Sequence, residues 1–186
     1  MTIELKTPVL ELLPHYVDAL KRGWTPDHII GRAATEEQLH AIDQDGAAFV
    51  ARQTDLAAQG GPVTLPDGSQ VKRIPGRQFW IWDGEVCGRL SIRWQPGTGA
   101  LPPHVLGHVG YAIVEWKQRQ GIATQAVRLV LPYARAQGLP YVEVTTDPDN
   151  LASQKVITAN RGVLFESFTK PAAFGSVPGL RYRIAL

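Results

Sequence analysis

The stretch over residues 107–127 constrains the fold most, because a strand-like run passes into a helix-like run across one short turn. Residues 108–114 are rich in β-branched and aromatic side chains, as strands are, and apolar residues recur at helical spacing from Gly121 onward. The turn between them places backbone N–H groups and the positive end of a helix dipole where an anion can bind. The stretch therefore predicts a binding site for a phosphate or pyrophosphate group.

Strand and helix signals continue on both sides of this turn. Residues 79–82 and 85–94 flank Asp83-Gly84, a dipeptide typical of a β-hairpin. Downstream, the pattern predicts a strand over 141–146, a helix over 150–161 and final strands over 163–168 and 181–184.

The first third of the chain has a more helical pattern. Residues 2–6 alternate between polar and apolar side chains and predict a short strand, and 10–22 predict a helix. Thr35, with a glutamine three residues later, matches a capping box and predicts that a second helix begins there. Glycine and proline cluster over 60–76, which indicates a loop or a short hairpin around Pro66.

The order of these elements predicts an α/β or α+β fold with one mixed central β-sheet flanked by helices. At 186 residues, the chain is predicted to form a single domain over residues 1–186. Residues 1–60 are expected to be mainly helical, and residues 77–186 are expected to hold the sheet and the anion site.

Charge and composition exclude several function classes. The formal net charge of +2 gives no reason to expect nucleic acid or a membrane surface as a partner. No apolar run approaches the roughly 18 to 20 residues that span a bilayer, and the N-terminus lacks the pattern of a signal peptide. Cys87 is the only cysteine, which suits a cytoplasmic protein. No cluster of Cys and His has the spacing of zinc ligands, so we expect no metal.

The turn at 118–123 is similar to the acetyl-coenzyme A loop of the GNAT superfamily of N-acetyltransferases. The pattern of that loop is Gln or Arg, two residues, Gly, one residue, then Gly or Ala, and Gln118, Gly121 and Ala123 fill it. The strand before the loop, the helix after it and Asn150 one strand further on extend the resemblance over roughly the second half. The resemblance implies a GNAT-like acyl-CoA N-acyltransferase fold, acetyl-CoA as acetyl donor and, as is common in the family, a homodimer.

The resemblance also implies which residues bind the cofactor. The pyrophosphate would bind at the loop, and the family parts two strands beside it, where the pantetheine arm would meet backbone groups. Asn150 and Ser153, one helical turn apart, would face the same arm. The expected cofactor residues are Ile113, Val114, Gln118, Arg119, Gln120, Gly121, Ile122, Ala123, Thr124, Asn150 and Ser153. The alternative is an ordinary β–turn–α connection in which Gly121 serves only the turn.

The implied reaction is direct attack of an amine on the acetyl thioester, which requires removing a proton, polarising the carbonyl oxygen and stabilising the leaving thiolate. Many family members carry a tyrosine seven residues after the asparagine, facing the sulfur. Ile157 occupies that position here and cannot donate a proton. Ser153 is a candidate substitute; a water molecule, or no protein acid, is the alternative.

Two residues are candidate general bases. His108 lies at the entry of the cofactor strand, and an unperturbed histidine has a pKa near 6.5, suited to neutral pH. Glu143 lies on the next strand, on the face opposite its two valine neighbours. The alternative gives both a structural role: His108 as a hydrogen-bonded strand-end residue, and Glu143 on a solvated strand face.

The acceptor side is predicted from family architecture, which builds it partly from the N-terminal helices over residues 1–60. Arg93 and Trp94, near a strand end, are candidate acceptor-binding residues, and Arg93 suits a carboxylate. Tryptophans at such positions are otherwise core residues. We expect acetyl transfer to a primary amine of a small molecule, with a protein or peptide amine, or a non-catalytic acyl-CoA-binding module, as the alternatives.

Overall fold

The structure is a computed structural model and describes residues 2–186. Five strands form a first, antiparallel sheet in which β5 pairs with β6 and β6 pairs with β7. The other two strands, β1 and β2, both pair with the free edge of β5. The bounds are β1 Glu4–Lys6, β2 Thr54–Asp55, β5 Gly76–Trp82, β6 Val86–Arg93 and β7 Val109–Ile113.

A second, three-stranded sheet has the order β8-β10-β9, also antiparallel. Its strands are β8 Tyr141–Thr146, β9 Val163–Thr169 and β10 Pro178–Ala185. Two further strands, β3 Val63–Thr64 and β4 Gln70–Val71, pair only with each other. The helices are α1 Leu13–Lys21, α2 Arg32–Ala51, α3 Ile122–Ala136 and α4 Leu151–Ala159.

The two sheets meet where β7 begins. His108 donates its backbone N–H to the carbonyl oxygen of Glu143 at 2.8 Å. Beyond this point β7 pairs with β6 while β8 pairs with β10, so β7 and β8 separate and leave an opening between them. α3, which connects the two strands, begins beside that opening.

Two apolar layers cover the faces of the first sheet. Alternation along β5 sends Phe79 and Ile81 into the layer that contains α3, and Trp80 into the layer that contains α1 and α2. In the second layer Tyr16 stacks on Trp80 with ring centroids 4.8 Å apart. Apolar layers therefore pack on both faces of the sheet.

The α/β fold class and most predicted elements are confirmed. The single mixed sheet is wrong in detail, because the separation of β7 and β8 divides it into two. The capping box is also wrong: α2 begins at Arg32, and the hydroxyl of Thr35 lies inside the helix, donating to the carbonyl oxygen of Trp24 at 2.9 Å. The hydroxyl of Thr35 therefore bonds to a buried carbonyl outside the helix and does not cap the helix N-terminus.

The glycine- and proline-rich connector forms the hairpin predicted around Pro66. Leu65 donates its N–H to the carbonyl oxygen of Ser69 at 2.8 Å, and Gly68 turns the chain with φ of +84°. Over residues 2–186, no helix combines the length and the apolar content that crossing a membrane requires.

Candidate active site

A cavity of about 1030 Å³ lies at the opening between β7 and β8. One wall comes from the start of α3 and from α4, and the opposite wall from β6 and the loop over residues 25–29 between α1 and α2. Of the residues predicted for the site, those that line it are Arg93, Ile113, Gln118, Arg119, Gly121, Ile122, Ala123, Thr124, Asn150 and Ser153. Val114, Gln120, Trp94, His108 and Glu143 are outside this lining.

The predicted anion loop has the geometry of an anion site. Gly121 takes a left-handed conformation, with φ of +77°, and precedes the first residue of α3. The first helical hydrogen bond runs from the N–H of Gln125 to the carbonyl oxygen of Gly121 at 3.1 Å. The N–H groups of residues 122–124 therefore precede the helical ladder, at the positive end of the helix. A phosphate group in the cavity can accept hydrogen bonds from them.

The open edge of β7 offers backbone groups from Ile113 but not from Val114. Val114 donates its N–H to the carbonyl oxygen of Cys87 at 2.9 Å, and its own carbonyl accepts from Lys117 at 3.0 Å. Because successive residues of a strand turn their N–H groups to opposite sides, the N–H of Ile113 points away from β6 and into the opening. The prediction that both residues present backbone groups is corrected to Ile113 alone.

Asn150 caps α4. Its side-chain oxygen accepts from the backbone N–H of Ser153 at 3.0 Å, so its amide nitrogen is the group that remains to donate. The prediction gave Asn150 both a donor and an acceptor role toward the cofactor; the helix cap uses the acceptor.

Ser153 has a partner that the sequence did not indicate. Its hydroxyl lies 2.9 Å from the phenol oxygen of Tyr111, on the α4 side of β7. Burial raises the pKa of Tyr111 to about 12, opposed in part by its hydrogen bond with Ser153, so the phenol stays protonated at neutral pH. Ile157, at the position of the family tyrosine, is fully buried in the core. A pair of hydroxyls from β7 and α4 is thus present in the cavity.

Tyr111 was missed because no motif connects residues 42 positions apart. The available signal was the alternation of β7, which places Tyr111 and Ile113 on one face of the strand.

His108 is held in a structural role. Its ring Nδ1 accepts the backbone N–H of Glu143 at 2.9 Å, which occupies the lone pair that a general base would need. The side chain is fully buried. Burial, and after it the charges of Arg93 and Arg183, lower its pKa to about 4. The ring is therefore neutral at physiological pH, outside the cavity and joined to the neighbouring strand.

Glu143 lies on the predicted face of β8 but is occupied by an ion pair. Its Oε1 accepts from Nη2 of Arg183 at 2.9 Å and from Nε at 3.1 Å. Its side chain is 10% exposed, so it is not on a solvated face. The carboxylate is thus engaged by Arg183 and lies outside the cavity, away from a substrate bound there.

Arg93 and Trp94 separate to opposite faces, as neighbours along an extended chain do. Arg93 lines the cavity. Trp94 is buried and packs edge-on against Tyr133 of α3, with ring centroids 6.1 Å apart. The prediction that Trp94 contacts the acceptor is corrected to a core position.

Two basic residues near the loop, Lys117 and Arg119, also differ in whether they line the cavity. Lys117 is paired with Asp83 at 2.6 Å and Glu85 at 2.8 Å, so its charge is already neutralised. Arg119 lines the cavity with a positive φ of +59°. Within residues 2–186, no group of three or more His, Cys, Asp or Glu side chains is arranged to hold a metal ion.

The site thus lies in an α/β fold where two strands separate beside the free N–H groups that begin α3. A family model described as an acetyltransferase (GNAT) domain matches residues 32–162. The chain belongs to this GNAT acetyltransferase family and is an acyltransferase.

Solved structures with the same fold cover nearly the whole chain. MccE, the microcin C7 self-immunity acetyltransferase in complex with acetyl-CoA and AMP, is 13% identical with a TM-score of 0.64, over 99% of this chain and 92% of that chain. RimL, a ribosomal L7/L12 alpha-N-protein acetyltransferase in complex with coenzyme A, is 17% identical with a TM-score of 0.60, over 100% and 95%.

A third structure is an acetyltransferase from Salmonella typhimurium that modifies the N-terminal serine of L7/L12. It is 19% identical with a TM-score of 0.60, over 100% of this chain and 96% of that chain. At these identities the likeness shows the fold alone. No curated protein matches the chain.

Proposed function

We propose that this chain is an N-acetyltransferase that transfers the acetyl group of acetyl-CoA to a primary amine of a small molecule. The observation that carries the proposal is the presence, in one cavity, of the free N–H groups that begin α3 and the open edge of β7 at Ile113. The first suits a pyrophosphate, and the second suits an extended chain of amides passing between β7 and β8. Bound acetyl-CoA supplies the acetyl thioester.

The residues present fit that cofactor. Gly121 has no heavy atom within 4 Å of the position a Cβ would take, apart from its own chain neighbours, so the backbone before α3 is open to a phosphate. The side-chain amide of Gln118 donates to the carbonyl oxygen of Ile113 at 3.2 Å and links the loop to the strand edge. The amide nitrogen of Asn150 faces the same cavity and remains free to donate to a pantetheine carbonyl.

The chemistry falls to three groups of this chain. The backbone N–H of Ile113 polarises the acetyl carbonyl oxygen. Tyr111 and Ser153 together donate a proton to the leaving thiolate, since both hydroxyls are protonated at neutral pH and lie 2.9 Å apart. As the amine nitrogen bonds to the acetyl carbon and the carbon–sulfur bond breaks, the proton lost by the amine balances the one gained by sulfur.

The proton of the amine leaves by a route that uses neither His108 nor Glu143, because both have their acceptor atoms engaged. We propose that the acceptor binds as the neutral amine or loses its proton to water. This requirement makes the rate rise with pH until the acceptor amine is unprotonated.

A small-molecule acceptor is supported by the loop over residues 25–29, which forms the wall of the cavity opposite α4. The hairpin of β3 and β4 is not part of the lining. The second candidate acceptor is a protein N-terminus. RimL and the acetyltransferase from Salmonella typhimurium support it, because both act on the ribosomal protein L7/L12. The chemistry at the thioester is the same for both.

Two glycines provide a matched test of cofactor binding. Gly121 and Gly138 stand at the two ends of α3, with φ of +77° and +80° and open space around each missing Cβ. Replacing either by alanine imposes a similar backbone strain, about 1 kcal/mol. We expect Gly121→Ala to weaken acetyl-CoA binding by about 10-fold, since its methyl group occupies the phosphate position, and Gly138→Ala to leave it unchanged. Isothermal titration calorimetry measures both.

Turnover is measured as thiol release from acetyl-CoA across small primary amines and short peptides with free N-termini. Turnover on small amines supports the proposal, and turnover on peptides alone supports the protein acceptor. Thermal stabilisation by acetyl-CoA without turnover on any amine supports a non-catalytic binding module. Absence of stabilisation by acetyl-CoA contradicts the cofactor assignment.

A further inference from the structure

Arg93 carries a charge that the protein leaves uncompensated. Its guanidinium faces the cavity, and within residues 2–186 its one hydrogen bond runs from Nη2 to the hydroxyl of Ser91 at 2.9 Å. Within residues 2–186, Arg93 takes part in no ion pair. A guanidinium has five N–H donors in a planar fork, so most of the donors of Arg93 remain available to a ligand.

The backbone opposite Arg93 is shaped to admit it. Gly110, on β7, lies so close that a Cβ there would be 3.1 Å from Nη2 of Arg93 and 3.4 Å from the hydroxyl of Ser91. The lack of a side chain at Gly110 allows the guanidinium to lie across the strand. This places Arg93 on the face of the sheet that bears the loop over 25–29, opposite the face on which Tyr111 meets Ser153.

The charged groups around Arg93 do not neutralise it. Arg89, four positions back on the same face of β6, is paired with Asp27 at 3.5 Å and donates to the side-chain oxygen of Gln78 at 2.9 Å. His108 is neutral. Burial, and after it the charge of Arg89, lower the pKa of Arg93 to about 10, opposed by Asp27. An anion bound beside Arg93 offsets the free-energy cost of burying its charge, because it gives the partly desolvated guanidinium an ionic partner.

We propose that the acceptor carries an anionic group, a carboxylate or a phosphate, that binds the guanidinium of Arg93 while its amine reaches the thioester. The proposal rests on the proposed acetyl transfer and narrows its acceptor to amines that bear an anion. Gly110, beside Arg93, precedes Ile113 by three residues, roughly 10 Å of extended strand. The anion and the amine are therefore separated groups of one molecule.

The test uses pairs of amines that differ only in charge. Linear amino acids from glycine to 6-aminohexanoate are each compared with their carboxamide, and phosphoethanolamine with ethanolamine, with kcat/KM for acetyl transfer as the readout. We expect at least one anionic member to exceed its neutral partner by about 10- to 100-fold, the usual effect of a charge-assisted bidentate contact. The carboxylate and phosphate pairs distinguish the two sources of the anion.

Three variants assign the preference to Arg93. We expect Arg93→Gln to abolish it through a raised KM, and Arg93→Lys to retain part of it, because lysine keeps the charge without the fork. Arg135→Gln, which removes an exposed arginine from the last turn of α3, should leave the preference unchanged. Thermal melting shows whether each variant is folded. If Arg93→Gln does not fold, the anion preference of Arg93→Lys tests the assignment to Arg93.

A binding measurement separates failure of this proposal from failure of the proposed function. The N-acetylated products of the same pairs are titrated into protein saturated with coenzyme A. Tighter binding of the anionic product, lost in Arg93→Gln, supports the anion site even when no amine is turned over. Equal binding within every pair, or an anion preference that survives in Arg93→Gln, overturns it, whether or not neutral amines are acetylated.

Discussion

Glu143 donates its backbone N–H to ring Nδ1 of His108 at 2.9 Å, and His108 returns its own N–H to the carbonyl oxygen of Glu143 at 2.8 Å. The two residues that the sequence indicated as catalytic bases thus join the two sheets at the point where β7 and β8 begin to separate. Because the opening between the strands starts here, the pair sets the position of the cavity. Both residues are therefore engaged in joining the strands, and neither lines the cavity.

The first prediction concerns the pH dependence of stability. The pKa of His108 is lowered from its ordinary 6.5 to about 4 in the folded protein. Between these values the unfolded chain binds more protons than the folded one, so the contribution of the neutral ring is complete above pH 6.5 and is lost as the pH falls toward 4. From this residue alone we expect the free energy of unfolding to be about 2 kcal/mol lower at pH 5 than at pH 7. Urea denaturation at the two pH values measures it.

His108→Asn is the control for that experiment. Its side-chain oxygen can accept the N–H of Glu143 in place of Nδ1, but it does not titrate. The difference in stability between pH 5 and pH 7 should shrink in this variant. An undiminished difference would assign the effect to other groups.

The second prediction separates the structural role of Glu143 from a catalytic one. Glu143→Gln removes the negative charge that faces Arg183, and we expect a loss of about 1 to 2 kcal/mol in the free energy of unfolding. Since the carboxylate lies outside the cavity, kcat should stay within about two-fold of the wild-type value. Chemical denaturation and thiol release are the two measurements.

Glu166→Gln is a matched control, because Glu166 pairs with Arg181 on the same sheet and its side chain is 42% exposed. We expect a smaller loss of stability, under about 1 kcal/mol, as is usual for exposed ion pairs. A large fall in kcat for Glu143→Gln with normal stability would identify Glu143 as the base after all.

The third prediction tests Tyr111 and Ser153 as one unit. We expect Tyr111→Phe or Ser153→Ala, each of which removes one hydroxyl, to lower kcat by about 100-fold or more, because a positioned proton donor contributes roughly 10²- to 10⁴-fold. The double variant should be little worse than the poorer single variant, because the two hydroxyls act through one hydrogen bond. Steady-state kinetics with any accepted amine measures the coupling.

Tyr133→Phe serves as the control, since Tyr133 packs in the core against Phe79 and away from the cavity. Its kcat should equal that of the wild-type protein. Fully additive losses from Tyr111→Phe and Ser153→Ala would argue that the hydroxyls do not act together.

The fourth prediction concerns the contact between β6 and β7. A Cβ at Gly88 would lie 2.1 Å from the carbonyl oxygen of Ala112 and 2.9 Å from Cα of Ile113. Gly88→Ala must therefore push β7 away from β6 at the residue that presents its N–H to the opening. We expect a loss of at least about 3 kcal/mol in stability, from overpacking together with backbone strain.

Gly84→Ala is the comparison. Gly84, like Gly88, has a positive φ, +119° against +150°, but the space around its missing Cβ is open. We expect a loss of about 1 to 2 kcal/mol from strain alone. Thermal melting ranks the two variants, and equal losses would show that close packing at Gly88 is not the cause.

The sequence predicted the turn at Gly121 and the helix after it well, because the signals for both are local. The glycine of the loop, the strand before it and the apolar stripe after it lie within some twenty residues and act through backbone geometry. The family assignment followed from the same residues. Asn150 was also found from its position, although its side-chain oxygen caps α4 instead of remaining free.

The sequence failed wherever a side chain could be used in two ways. His108 and Glu143 are chemically suitable bases, and only their packing shows that a backbone N–H and an arginine occupy their acceptor atoms. Trp94 was predicted to bind the acceptor together with its neighbour Arg93. Which of the two side chains faces the cavity depends, however, on which face of β6 is buried. Tyr111 meets Ser153 only because β7 and α4 come together in the folded chain.

By itself, the sequence determined the family of this protein and the turn from which α3 begins, because turn chemistry and helix initiation depend on neighbouring residues. The tertiary structure decided which polar groups are free to act, since a donor or acceptor is available only when no distant residue has engaged it. Arg93 shows the difference: its charge is evident in the sequence, but its lack of a partner is a property of the folded chain.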